Sequence, residues 1–174
     1  MIGYSEVLQT LGAMVIFSFI LLNANRLVQR NTVFQVDAEL EQEVVALAQD
    51  IIEESRTKEF DANSTGDLPP VNIPGDFTDP NGLGPAGTTS EDERHEFNDF
   101  DDFHKWSDTI TTKQGDFDVS CEVYYVDEPD FSTKENYRTT YKKIEITITS
   151  SYLTTNDGQR QSYVFDYIRN YYAD

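Results

Sequence analysis

Met1 to Leu22 carry one charge, Glu6, in an apolar stretch. At helical rise such a run reaches roughly 33 Å, about the thickness of a bilayer core. The apolar character does not stop at a loop. It passes through Asn23–Thr32 into Val33, Val36, Leu40, Val44, Leu47 and Ile51, spaced by three, four, four, three and four residues. That spacing is one stripe along a helix. Residues 1 to about 58 therefore read as a single helix, apolar all round at first and on one face afterwards, and the expected end is near Phe60. Asn23, Asn25, Asn31 and Thr32 are poor helix formers at the junction, but no proline breaks it, so the helix is expected to be continuous or slightly bent.

The charge is distributed unevenly. Of a net −19, the first 32 residues contribute +1, with Arg26 and Arg30 against Glu6, so the remainder carries −20. Nucleic-acid binding is excluded, because phosphate contacts need clustered Lys and Arg. The acids are spread through Asp37–Glu54, Glu91–Asp102 and Asp127–Asp130, the pattern of a soluble or salt-adapted surface rather than a cation trap. The lone Cys121 allows no intrachain disulfide and lies in a strand pattern as a small buried hydrophobe.

After Phe60 the pattern changes. Asp61–Asp67 and Leu68-Pro69-Pro70 are turn and breaker chemistry, and five of the six prolines and five of the nine glycines fall between Asp61 and His95. This is a long loop region, with a short strand expected at Val71–Ile73. Three strands follow. Phe117–Val126 alternates Phe117, Val119, Cys121, Val123 and Tyr125 against polar partners. Lys142–Ser150 places Ile144, Ile146 and Ile148 on one face, and Gln161–Ile168 does the same with Tyr163, Phe165 and Tyr167. Asn156-Asp157-Gly158 marks a hairpin between the last two. The fold class is α+β: a long N-terminal helix packed on a C-terminal antiparallel sheet. The parts are an apolar helix (1–32), its amphipathic continuation (33–60) and a globular head (61–174).

Catalytic constellations are missing from the sequence. His95 and His104 are not in metal-ligand spacing with each other or with Cys121, and there is neither a phosphate-binding loop nor a nucleophile elbow, so no enzyme is expected. Oxygen-rich clusters suggest weak calcium candidates at most. Asp61-x-Asn63-x-Thr65-Gly66 opens like a calcium loop but lacks the closing bidentate glutamate. Asp99, Asp101 and Asp102 bring three carboxylates together, which a cation or a lysine would relieve; a solvated acidic turn is the simpler reading. Asn63-Ser64-Thr65 matches an N-glycosylation sequon, and Thr88-Thr89-Ser90 would suit O-glycans.

A long helix that starts apolar with an internal glutamate, then a loop and an antiparallel sheet, resembles the type IV pilins and the pseudopilins of type II secretion. The architectural likeness spans the chain; its sequence signature is confined to the first 25 residues. Phe100-Asp101-Asp102-Phe103-His104-Lys105-Trp106 is similar to a short Asp-Asp-aromatic-His segment of some pilin-like proteins. The resemblance implies that Glu6 pairs with a neighbour's N-terminal amine or with a polar group such as Gln9 or Thr10, since a carboxylate in a dry helix core marks a partner. Gly3, Gly12, Ala13 and Ser18 offer small surfaces for close helix approach.

The family removes a basic leader after a glycine and leaves its glutamate fifth, whereas Glu6 is sixth here. Either the chain is already processed or it belongs to a relative that skips the step. The implied protein is a structural subunit that resides in the inner membrane and then polymerises with its own copies, through the pilus assembly machinery, into a surface filament. The alternatives are a minor pseudopilin and a plain membrane-anchored surface domain. Arg26 and Arg30, by the positive-inside tendency, would hold the head in the cytoplasm. Between heads, Arg138, Lys142, Lys143, Arg160 and Arg169 are expected to meet the acidic Glu91–Asp102 of neighbours.

Overall fold

The computed structural model describes residues 3–64, 70–85, 93–154 and 158–173. Helix α1 runs unbroken from Tyr4 to Thr57, through the whole Asn23–Thr32 junction. Four strands follow, β1 (Ser107–Thr111), β2 (Asp116–Val126), β3 (Tyr141–Thr154) and β4 (Arg160–Asn170). They form one antiparallel sheet in the order β1-β2-β3-β4, a simple meander. The chain divides into two compact units, residues 1–41 and 42–174.

Within the second unit the sheet's inner face is built from rows across the strands. Val119 opposes Ile148, which opposes Tyr163; Cys121, Ile146 and Phe165 form the next row, and Val123, Ile144 and Tyr167 the third. Val44, Ala48 and Ile51 of α1 are buried at the three- and four-residue spacing of the amphipathic stripe. Arg56 lies over the Tyr167 ring at 5.8 Å, bringing the last turn of α1 onto β4. This is the expected α+β arrangement of helix on antiparallel sheet.

Local details depart from the sequence reading. The helix stops at Thr57, where Glu59 instead makes an isolated parallel bridge to Asp99, with its N–H on Asn98 O (3.1 Å) and its carbonyl receiving Phe100 N–H (2.8 Å). Val71–Ile73 is bend and turn, not strand, because Pro74 and Gly75 follow at once. Strand β1 was not anticipated: Ser107-Asp108-Thr109-Ile110-Thr111 has one apolar residue and holds its place by pairing with β2. The turn residues Asn156 and Asp157 lie outside the described residues; Gly158, next to them, has a φ of +78°.

The long loop packs as a second small core. Phe60, Phe77 and Tyr125 are buried together with Ile73, Leu83 and Tyr171 against them. The Phe60 and Phe77 rings are 5.0 Å apart, and Phe97 meets Phe103 edge-on at 5.0 Å. Arg94 ties the loop to α1 through Asp50 (2.7 Å) and Glu54 (2.5 Å), while its guanidinium covers the Trp106 ring at 5.6 Å.

Candidate functional site

Two features carry chemistry beyond folding: the exposed apolar part of α1 and a cluster of buried charges in the second unit.

Every residue from Gly3 to Glu39 is exposed. That includes Leu11, Met14, Val15, Ile16, Phe17, Phe19 and Ile20, a large apolar surface of the kind that marks an interaction or membrane site. The helix is long and apolar enough to cross a membrane. Four of its polar side chains turn back onto its own backbone. Thr10 Oγ1 donates to Glu6 O (2.5 Å), Ser18 Oγ to Met14 O (2.8 Å), Asn23 Nδ2 to Phe19 O (2.9 Å) and Thr32 Oγ1 to Val28 O (3.0 Å). Each bond hides a polar group that an apolar surrounding would leave unsatisfied.

Glu6 lies in the first turn of α1, where its carboxylate accepts the Gly3 N–H at 3.3 Å. An anion there is favoured by the free N–H groups of the helix start. Helical spacing puts Gln9, Thr10 and Ala13 on the Glu6 stripe, while Gly12 and Ser18 lie on other faces. Gly3 precedes the helix, and a side chain built at Gly3 or Gly12 would meet open space.

The second feature begins at the end of α1. Lys142 and Arg169 occupy opposite positions on β3 and β4, in the row completed by Tyr125 of β2, and both are buried. Arg169 Nη1 donates to Lys58 O at 2.6 Å and to Ser55 O and Glu59 O at 3.3 Å, so it caps carbonyls at the helix end. Lys142 Nζ donates to Phe60 O (3.0 Å), Asp61 Oδ2 (2.6 Å) and Asp101 Oδ1 (2.5 Å). Lys142 and Asp61 have no exposed side-chain surface, and Asp101 has 1%.

Asp61 is held on several sides. Thr78 N–H reaches both carboxylate oxygens at 3.0 Å, Thr78 Oγ1 donates at 2.9 Å, Asn63 N–H at 3.0 Å and Tyr125 OH at 3.2 Å. Burial pushes this carboxyl up, but the Lys142 charge and the hydrogen bonds outweigh it and leave it below the ordinary range. Asp99 goes the other way. Its burial, followed by the Asp101 charge and a hydrogen bond with the Asp101 side chain, pushes it up to about 9. Asp99 is therefore a neutral acid next to Asp101.

These contacts revise the expectations for the acidic residues. Asp99, Asp101 and Asp102 are not a solvated turn; all three are buried. Asp99 Oδ1 accepts Asp101 N–H (2.8 Å), and Asp102 Oδ2 accepts the N–H groups of Asn98 (2.8 Å) and Asp99 (3.1 Å). The described oxygens of this trio serve backbone N–H groups and Lys142. Among the described residues no group of three or more His, Cys, Asp and Glu is arranged for a metal ion. In the other calcium candidate, Thr65 and Gly66 lie outside the described residues, as do Thr88, Thr89 and Ser90 of the O-glycan expectation. Asn63 is exposed, and the rest of its sequon again reaches Thr65.

His104 is structural. Its Nδ1 accepts the Val123 N–H at 3.1 Å, and burial, helped by Lys105 and Lys134, lowers its basicity, so the ring is neutral. His95 is exposed beside Glu93. Burial pushes the Cys121 thiol up to about 12, making it an inert core residue.

Lys142 and Arg169 are the residues that sequence reasoning placed wrongly, on an inter-subunit surface. The signal was available: Lys142 shares strand parity with Ile144, Ile146 and Ile148, and Arg169 with Tyr163, Phe165 and Tyr167. No protein-family model, curated protein or solved structure matches the chain.

Proposed function

We propose that this chain is a pilin-like structural subunit that resides in a membrane through α1 and then polymerises with its own copies into a surface filament. The observation that carries this reading is the exposed apolar surface of α1 with Glu6 within it. In the assembled state the apolar segments exchange lipid contacts for contacts with one another, and the acidic globular units face solvent. The assembly residues are Glu6, with Gln9 and Thr10 as polar partners, and Gly3, Gly12, Ala13 and Ser18 as small surfaces. Since Gly12 and Ser18 lie on different faces from Ala13, each helix has neighbours on several sides, as in a bundle rather than a pair.

A plain membrane anchor is the second reading, and the exposed apolar helix fits it too. Glu6 favours the filament, because in a lone anchor its carboxylate has only the N–H groups of its own helix start to offset desolvation, whereas a neighbouring helix adds a polar partner. Electron microscopy of the full chain after detergent removal separates the two. Fibres of uniform diameter are expected; a species that stays monomeric or forms only vesicle-bound monomers overturns the filament.

A further inference from the structure

We propose that the Lys142 amine and the Asp101 carboxyl condense into an intramolecular amide that links β3 to the turn at Asp101–Phe103, with Asp99 as the assisting acid and Asp61 as the proton relay. Placement, the contrast between two carboxylates, atom balance and desolvation each favour this link.

The first is placement. Lys142 Nζ is 2.5 Å from Asp101 Oδ1 in a site with almost no solvent exposure. Well-oriented intramolecular groups react as though at ~10⁵ M or more, provided that the reacting atoms are held at contact distance. Nζ is fixed by its bonds to Phe60 O and Asp61 Oδ2 and flanked by the Phe60 and Tyr125 rings, 4.8 and 5.3 Å from their centroids.

The second is the difference between the two carboxylates that Lys142 touches. Asp61 is stabilised as an anion by Thr78, Asn63 and Tyr125, which makes its carbon a poor electrophile. The Asp101 carboxylate has the neutral Asp99 acid beside it, hydrogen-bonded to its side chain. That bond draws electron density from the Asp101 carboxyl and favours attack at its Cγ.

The third is balance. The Nζ proton shared with Asp101 passes to that carboxylate, giving an amine and an acid. Nζ attacks Cγ, with Asp99 bonding the developing oxyanion. A second Nζ proton moves through Asp61 to the leaving oxygen, the C–O bond breaks and water departs. One N–C bond forms and one C–O bond breaks, two protons and one oxygen leave as water, and no electron acceptor is needed.

The fourth is energetic. A buried ion pair retains a large desolvation penalty, whereas an amide abolishes both charges. The surrounding aromatic side chains exclude the water that would reverse the reaction.

The test is proteolysis of the denatured full chain followed by tandem mass spectrometry. A branched peptide joining the Asp101 and Lys142 segments, lighter than their sum by one water, is expected. A succinimide at Asp101 also loses water but joins nothing, so it does not mimic the result. Recovery of both segments as separate linear peptides overturns the proposal, as does a branch at Asp61 in place of Asp101. In Asp99→Asn the branched fraction is expected to fall at least tenfold, and an unchanged fraction overturns the role of Asp99. If that variant misfolds, the branched peptide of the unaltered chain still decides whether the link exists.

Discussion

Lys142 and Arg169 face each other across β3 and β4, two cations side by side on the inner face of the sheet. Like charges directly opposite in a ladder repel. The arrangement persists because each cation has its own anionic or carbonyl partners: Asp61 and Asp101 for Lys142, and the helix-end carbonyls of Ser55, Lys58 and Glu59 for Arg169. The end of α1, the loop after it and the last two strands are thereby tied at one point.

Arg169 tests how much that point contributes. Arg169→Ala takes a donor from the buried Ser55 carbonyl and the half-buried Lys58 carbonyl, each worth about 1–3 kcal/mol if left unsatisfied, while Glu59 O keeps the Phe100 N–H. A loss of about 3 kcal/mol is expected in denaturant unfolding of the full chain in detergent, followed by the near-ultraviolet signal of Trp106. Arg169→Lys keeps the charge but not the planar fork, so it should recover only part of the loss. Full recovery by lysine would show that charge alone matters.

Asp99 predicts a pH dependence. Its folded value of about 9 stands above the ordinary 3.8, so the folded state holds a proton that the unfolded state releases. A raised value contributes stability below the unfolded pKa, and that stability is lost as pH rises toward the folded one. Between about pH 7 and 9 His104, whose basicity is lowered from 6.5, is neutral in both states and adds no slope. Stability should fall by about 1 kcal/mol per pH unit between pH 7 and 8 through Asp99, and above that the Cys121 thiol, raised from 9.0 to about 12 on folding, adds a slope of the same sign. Because burial is the largest cause, the direction holds with or without the amide to Asp101. Asp99→Asn should flatten the curve; an unchanged slope would assign it to another group.

The sheet was legible where alternation was pure. Ile144, Ile146 and Ile148 fixed the inner face of β3, and the same parity carried Lys142 inward, although its charge argued for the surface. β1 was not legible because its residues follow no pattern; an exposed edge strand is specified by its partner. Asp99, Asp101 and Asp102 read as a solvated turn because what buries them is distant in sequence: Lys142 from β3 and the Glu59–Asp99 bridge. For α1 the apolar run and the three-and-four spacing were sufficient, and the missing breaker correctly implied continuity through Asn23–Thr32.

Glu6→Ala is the direct test of assembly. The side chain contacts only the Gly3 N–H among its described partners and lies outside the second unit, so its loss should leave the Trp106 signal and unfolding midpoint unchanged. Filament yield should fall at least tenfold, since the substitution removes the polar pairing proposed to set axial register between apolar helices. Glu6→Gln, which keeps hydrogen bonding but not charge, should be intermediate. Normal yield and helical repeat in Glu6→Ala would remove Glu6 from the assembly mechanism.

Charge sets the last prediction. The five basic residues expected to bridge neighbouring heads are already engaged within their own chain. Lys142 and Arg169 are buried, Arg138 is 3.5 Å from Asp79, Lys143 is 2.5 Å from Asp166 and Arg160 is 3.6 Å from Asp118. A filament of such chains would stack copies whose residues 33–174 carry −20 each, a repulsion relieved mainly by dissolved salt. The screening length grows from ~8 Å at physiological ionic strength to ~30 Å at 0.01 M, so repulsion between neighbouring units rises sharply on dilution of salt. The opposing term is apolar contact along α1, at about 25 cal/mol per Å² buried, and salt does not weaken it in this way. Formed filaments should accordingly survive transfer to low salt, while new assembly from detergent slows there, because an encounter feels the repulsion before the helices touch. A calcium chelator at constant ionic strength should change neither. Dissolution by chelator alone would reveal a bound ion holding the units together, and dissolution in low salt alone would show that charge outweighs the helical core.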